Sequence, residues 1–365
     1  MIEEVEEFRE DLLRSQTKIN FTSYSRLAVY MNCSWQYKLR YLDKVPFPKI
    51  VNEALALGTL SHSVLEEVLD PGTAIDDALE AMTLHLPGWI EKLGLEEPDS
   101  YLDCVELASG LADLLYRCSE RCRRDPIRNK DGSLPKDPIN FPPGLFTEAL
   151  RESGLSEERT NLDNWAAAAN PVFTGISLSW LLGRAAYMTK YFTVPDWVKQ
   201  TLHVELAFST TEADGVHLPR SRSEDAFFHG KIDWVVETTS NEIAILDHKS
   251  GKECPDPQAV LHSPQLNLYA YAYRELYGTW PDLIAINHLP SSNIVMAAVD
   301  RDIALSTASY YRQLQEASET PLWVRRSPTE YKTPCIRRDW KTKRVVETCP
   351  YLNQCWPFYV ETLIL

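Results

Sequence analysis

Apolar positions recur at helical spacing through much of the first 200 residues and shift to strand-like runs after them. From Ser23, a good helix cap, the positions Arg26, Leu27, Val29, Tyr30, Trp35, Tyr37 and Leu39 predict an amphipathic helix ending near Pro46. A second helix is predicted over about 52–69, stopped by Asp70-Pro71-Gly72, with further helices near 73–94 and 99–124. Residues 125–154 gather Pro126, Pro135, Pro138, Pro142 and Pro143 among Gly and Asp, the composition of a long loop or interdomain connection. One more helix is predicted near 161–193.

Beyond it the period changes. Residues 201–211 read as a strand, and 227–238 and 242–249 as two β-rich runs joined by a turn at Ser240-Asn241. A helix over about 256–277, strands near 282–289 and 293–299, and a helix near 301–319 follow. There is no internal repeat. The order predicts an α/β fold, a small mixed sheet flanked by helices, with a helical insertion ahead of it. Four stretches result: an N-terminal helical segment (1–50), a helical region (51–200), a core (201–320) and a tail (321–365).

The 365 residues suit two domains, or one with an elaborate insertion. With 44 % hydrophobic and 24 % charged residues the chain is not a disordered one. No apolar run approaches a membrane span, and the acidic start lacks the apolar stretch of a secretory signal, so a reducing cytoplasm is the expected compartment. The net charge of −15 argues against a surface coated by nucleic acid. The charge is uneven, however. Between Trp323 and Arg344, eight basic residues stand against Glu330 and Asp339, a local +6. Taken alone this is a solvated loop. Eight cysteines in such a compartment do not form a disulfide framework, and Cys335, Cys349 and Cys355 crowd the tail. Cys118 and Cys122, one helical turn apart, read as structural.

The chemistry concentrates in Gly230-Lys231-Ile232-Asp233 and Ile245-Leu246-Asp247-His248-Lys249. Asp247 and Lys249 are two apart on a strand, so they share one face of the sheet. If the two runs pair through the turn, Asp233 comes close to both. Carboxylates that converge repel each other unless a cation lies between them, and hard oxygen donors suit Mg²⁺ or Mn²⁺. A neighbouring lysine can orient a water or stabilise charge developing on a phosphoryl group. The plain alternative is a pair of strand-end surface acids with a salt-bridged lysine.

Asp233 followed by Asp247-x-Lys249 resembles the PD-(D/E)XK nuclease superfamily. Gly58-Thr59-Leu60-Ser61-His62 is similar to the G-x-x-x-H element of its RecB-like branch, and Gln265-Leu266-Asn267-Leu268-Tyr269 to its Q-x-x-x-Y element. All occur in that branch's order. The resemblance implies a restriction-endonuclease-like core whose metal is held by His62, Asp233, Asp247 and the main-chain carbonyl of His248. It implies that Lys249 assists the attacking water and that Gln265 and Tyr269 order Lys249 and the DNA backbone. Glu205 is a plausible extra acid of the same arrangement.

Cys349-x5-Cys355 resembles the C-terminal pair of the iron–sulfur members of that branch, which use one more cysteine far upstream. Here Cys33 is the counterpart. The resemblance implies a [4Fe–4S] cluster on Cys33, Cys335, Cys349 and Cys355, clasping the two ends of the chain. The chain departs from the pattern in the thirteen residues between Cys335 and Cys349, where a C-x2-C is usual. Inert thiols or a zinc site are the alternatives. The combination resembles the CRISPR-associated RecB-like exonucleases and the nuclease module of AddB-type enzymes. No P-loop is present, so the expectation is a stand-alone deoxyribonuclease acting on single-stranded DNA ends. A second reading is a non-catalytic DNA-binding or scaffolding subunit of a recombination or CRISPR-adaptation complex, a third a zinc-stabilised protein.

Overall fold

The core of the protein is a five-stranded mixed sheet in the order β2-β5-β6-β7-β8. The computed structural model describes residues 20–46, 52–75, 77–124, 143–208, 216–217, 226–251, 253–319, 336–338, 345–349 and 351. In chain order the elements begin with β1 (Asn20–Thr22), α1 (Tyr24–Asn32) and α2 (Ser34–Tyr37), which runs into a π-turn at Lys38–Leu42. Then come α3 (Glu53–Leu69), α4 (Ala78–Lys92), α5 (Tyr101–Arg124), α6 (Pro143–Ser153), α7 (Ser156–Ala169) and α8 (Leu178–Lys190). The sheet region follows as β2 (Val198–Phe208), β3 (Val216–His217), β4 (Ala226–Phe228), β5 (Gly230–Thr238) and β6 (Ile243–Lys249). After α9 (Pro257–Leu261) and α10 (Pro264–Tyr277) come β7 (Leu283–His288), β8 (Asn293–Ala298) and α11 (Arg301–Glu319). A small β9 (Ile336–Arg338) and β10 (Val345–Thr348) ribbon lies in the tail.

β2, β5 and β6 pair antiparallel, β6 and β7 parallel, and β7 and β8 antiparallel. The parallel pair needs a crossover, which α9 and α10 supply. Alternation along the strands feeds two cores. Trp234, Val236, Ala244 and Leu246 pack beneath α3, α4, α5 and α8. Val235, Ile245 and Ile284 pack against α10, with Leu27 of α1 and Tyr311 of α11. Each large apolar side chain so buried contributes on the order of 1.5–3 kcal/mol. The expected α/β architecture with helices on both faces is therefore the observed one, and the helices between His62 and Asp233 share the sheet's core.

Several elements are shorter than the periodicity predicts, each for a local reason. The helix from Ser23 stops at Asn32, because Cys33 is extended at φ −155°, and its Sγ caps the next turn by accepting from Gln36 N at 3.4 Å. The helix predicted near 161–193 is two helices. Pro171 holds Asn170 in an extended conformation, and Ser177 caps the restart through Trp180 N at 3.2 Å. The helix predicted over 256–277 is likewise split at Ser263-Pro264, which opens α10. The proline-rich stretch predicted as loop contains α6 from Pro143 onward, while 125–142 lie outside the described residues. The run 227–238 divides, because Ala226–Phe228 leaves the main sheet to pair with β1 and β3.

The first and last described segments meet on one side. Tyr30 donates to the Ala317 carbonyl at 3.1 Å and Ser318 to Tyr37 Oη at 3.2 Å, fixing α1 and α2 to α11. Tyr351 is fully buried, and its hydroxyl donates to the Val45 carbonyl at 3.2 Å. None of the described helices is long and apolar enough to cross a membrane.

Candidate active site

The site forms where β6 ends. Asp247 and Lys249 point to the face covered by α10, and His248 points to the opposite face. Lys249 Nζ lies 2.5 Å from Asp247 Oδ2 and donates to Gln265 Oε1 at 3.1 Å. Gln265 Nε2 donates in turn to Tyr269 Oη at 2.8 Å. One turn of α10 separates these two residues, so they reach the same point. Asp247 is 3 % exposed and Lys249 43 %, so the carboxylate is sunk in the protein while the amine faces solvent.

Asp233 approaches from β5. Trp234 pairs with Leu246, and the antiparallel register brings Asp233 beside Asp247. Its Oδ2 accepts the main-chain N–H of His248 at 2.7 Å. His62 comes from α3 on the other face. Its Nε2 lies 2.9 Å from the His248 carbonyl oxygen and therefore carries the donated proton. Its Nδ1, left with a lone pair, faces Asp233 Oδ2 at 3.4 Å. The glycine one turn before His62 has a packing reason. A Cβ at Gly58 would meet Ser250 Oγ at 3.3 Å, so α3 can lie against the chain as it leaves β6.

Glu205 completes the ring from β2. The pairs Val204–Trp234 and Leu206–Ile232 bracket it directly across from Asp233. Its φ of 49° lies in the left-handed region, which for a glutamate inside a strand costs about 1–3 kcal/mol. Lys231 Nζ sits 3.1 Å from its Oε2.

Burial dominates the electrostatics. It pushes the Asp233 carboxyl well above the usual range, helped by the Asp247 charge and opposed by the His248 N–H. It raises Asp247 too, against the pull of Lys249. Burial lowers His62 although Asp247 and Glu205 favour its cation. His248 is driven down to about 3 by burial and by the neighbouring His62 and Lys249, so its ring is neutral. Glu66, one turn beyond His62, is raised by burial and then by Glu205.

These groups fit a hard divalent cation. One donor atom each from His62, Glu205 and Asp233 lies within 4.8 Å of the others. A lone pair facing a carboxylate oxygen, with further carboxylates behind it, is an arrangement that a proton or a cation must bridge. Oxygen donors with one imidazole suit Mg²⁺ or Mn²⁺. Asp247 lies outside that trio, and its Oδ2 is engaged by Lys249.

The fold thus brings His62, Asp233, Asp247, Lys249, Gln265 and Tyr269 into one place. It draws in Glu205 more firmly than the sequence suggests. Asn287, which donates to His248 Nδ1 at 2.9 Å, went unnoticed in the sequence. Its signal was a lone amide in the apolar run of β7. Of the tail cysteines, Cys335 and Cys355 lie outside the described residues. Cys33 is buried at the start of α2, and Cys349 is half-buried, two residues before the buried Tyr351. Most of the basic segment 323–344 is also outside the described residues.

Comparison with known proteins agrees with this geometry. The family model of the PD-(D/E)XK nuclease superfamily matches residues 22–124 and 143–355, which takes in every residue of the site. No curated protein matches the chain.

Proposed function

The chain belongs to the PD-(D/E)XK nuclease superfamily, and on that premise we propose that it is a RecB-like, metal-dependent exonuclease acting on single-stranded DNA ends. The observation that carries the reading is the unbroken hydrogen-bonded path from Asp247 through Lys249 and Gln265 to Tyr269, set beside the His62–Asp233 contact. A merely structural salt bridge needs neither the second buried carboxylate nor the histidine.

On this reading His62, Asp233, Asp247 and the His248 carbonyl, with Glu205, hold Mg²⁺ or Mn²⁺. Bound there, the ion supplies Lewis acidity to the scissile phosphate and makes a water more acidic. Lys249 does the rest of the positioning. An ammonium has three N–H donors. Two go to Asp247 and Gln265, and the third holds the attacking water or a phosphoryl oxygen. The same charge stabilises the negative charge that builds up in the transition state. Gln265 and Tyr269 restrict Lys249 to that direction. A chain of net charge −15 does not attract a broad duplex surface, which favours one strand led in by its end.

The test is a time course with Mn²⁺ on single- and double-stranded DNA labelled at either end. Short products released first from single-stranded ends are expected. Equal cutting of circular single strands would overturn the end requirement, and intact DNA throughout would overturn the nuclease reading.

The reading extends to a [4Fe–4S] cluster on Cys33, Cys335, Cys349 and Cys355. Its support is the contact of Tyr351, two residues after Cys349, with Val45 in the segment following Cys33. Protein purified without oxygen is expected to be brown, with iron and sulfide in equal amounts. Colourless protein with stoichiometric zinc would replace the cluster by a zinc site.

A further inference from the structure

Residue 248 carries three contacts that hold the site together. Its main-chain N–H donates to Asp233 Oδ2 at 2.7 Å. Its carbonyl accepts from His62 Nε2 at 2.9 Å. Its ring meets the His62 ring edge-on, with centroids 5.7 Å apart and planes at 83°. A rotation of this one residue would therefore move His62 and Asp233 together.

The ring is fixed from behind. It stacks on Trp234 at 6.0 Å, meets the Phe192 edge at 6.3 Å, and is buried. Aromatic packing sets the plane of a ring but not which way its nitrogens face, because a 180° flip about Cβ–Cγ leaves the plane unchanged. A hydrogen bond fixes the facing, and the one the ring makes among the described residues is from Asn287 Nδ2 to its Nδ1, at 2.9 Å. Asn287 is itself fully buried on β7, paired in register with His248. His248 Nε2 and Asn287 Oδ1 have no hydrogen-bond partner among the described residues. Two buried polar atoms left so are costly. For packing alone, an apolar pair would fill this position at lower cost.

We propose that Asn287 is a positioning residue for the metal centre, acting through the His248 ring on His62 and Asp233. This rests on the reading of the site as a divalent-cation centre. The amide selects the Nε2–H tautomer of His248 and locks the ring, and the ring locks the main chain that both candidate ligands touch. Partners of this kind, one step behind the ligands, characteristically change metal affinity or activity 10- to 100-fold.

The experiment measures Mn²⁺ binding by calorimetry on the full chain, with the melting temperature in EDTA and the Mn²⁺ dependence of DNA degradation alongside. Asn287→Ala is expected to weaken Mn²⁺ binding about tenfold or more. Asn287→Asp, which can hold the ring through the other tautomer, is expected to recover most of that loss. His248→Phe keeps the stacking and loses the hydrogen bond, so it should match Asn287→Ala. It also serves if the alanine variant does not fold. The double variant should be no worse than either single one, as for two residues acting as a unit. Variants that melt lower but bind Mn²⁺ within twofold of the parent would overturn the inference and leave the site's reading intact. Parent protein that binds no Mn²⁺ would overturn the reading itself.

Discussion

Two aspartate–lysine pairs in this protein have nearly the same length and opposite character. In the helical region, Lys190 Nζ lies 2.6 Å from Asp113 Oδ1, and Tyr191 donates to the same oxygen at 2.6 Å. In the site, Lys249 lies 2.5 Å from Asp247. Burial works to raise the Asp113 carboxyl, but the hydrogen bonds from Lys190 and Tyr191 outweigh it and hold the group below its ordinary value. At Asp247 burial wins, and the group is held above. The difference is environment. Asp113 is 45 % exposed and donors surround it, whereas Asp247 is 3 % exposed and has Asp233 and Glu205 for neighbours. A close aspartate–lysine contact is thus no mark of chemistry. Carboxylates crowded under burial are, because the fold tolerates that cost only where something bound offsets it.

The comparison breaks most sharply in activity. Lys249→Ala should lower DNA degradation on the order of 10³-fold, the scale of losing a charge-stabilising donor. Lys190→Ala should leave it within about twofold, measured on the same end-labelled strands. A large loss from Lys190→Ala would remove the distinction.

Two glycines separate the regions next. A Cβ at Gly183 would lie 2.8 Å from Leu111 Cβ, between α8 and α5. Gly183→Ala should therefore cost about 1–3 kcal/mol by overpacking, seen as a lower denaturation midpoint, with activity per folded molecule unchanged. Gly58→Ala meets only the end of a serine side chain, at 3.3 Å. It should keep the midpoint, since alanine is the better helix former, and lower turnover about 3- to 10-fold by shifting the chain beside Lys249.

The smallest effect is in pH. Asp113 has a depressed pKa, so its contribution is present above the ordinary 3.8 and is lost as pH falls through the folded value. Asp113→Asn should be less stable than the parent at pH 7, and the gap should close in acid. Asp233 has a raised pKa, so the parent loses stability as pH rises from 3.8 through the folded value. In EDTA at pH 7, Asp233→Asn should melt higher than the parent, by about 2–4 °C if ~1 kcal/mol is recovered. Added Mn²⁺ should reverse that order. Thermal melts at pH 7 and 4 check the Asp233 sign, and melts carried well below pH 3.8 check the closing of the Asp113 gap.

Much of the site was legible because its residues sit on short periodic elements. Asp247 and Lys249 declare a common face by strand spacing, and Gln265 and Tyr269 by helix spacing. The breaks were harder to read. Asn170-Pro171 and Ser263-Pro264 interrupt patterns that stay apolar across them, so periodicity carries on where the backbone does not. Glu205 was ambiguous because an acid in a strand is ordinarily exposed. Only the register opposite Asp233 and the backbone at φ 49° give it a role.

The sequence by itself determined most of the element types, the α/β class and the acid–lysine chemistry, since these follow from local spacing and from what each side chain can bind. Tertiary structure alone decided which carboxylates are buried together, which nitrogen of His62 faces Asp233, and that Asn287 reaches His248 from a neighbouring strand. Those are contacts between residues up to 186 positions apart. They depend on the parallel register of β6 and β7 and on the seating of α3 against the sheet, and no local pattern encodes either.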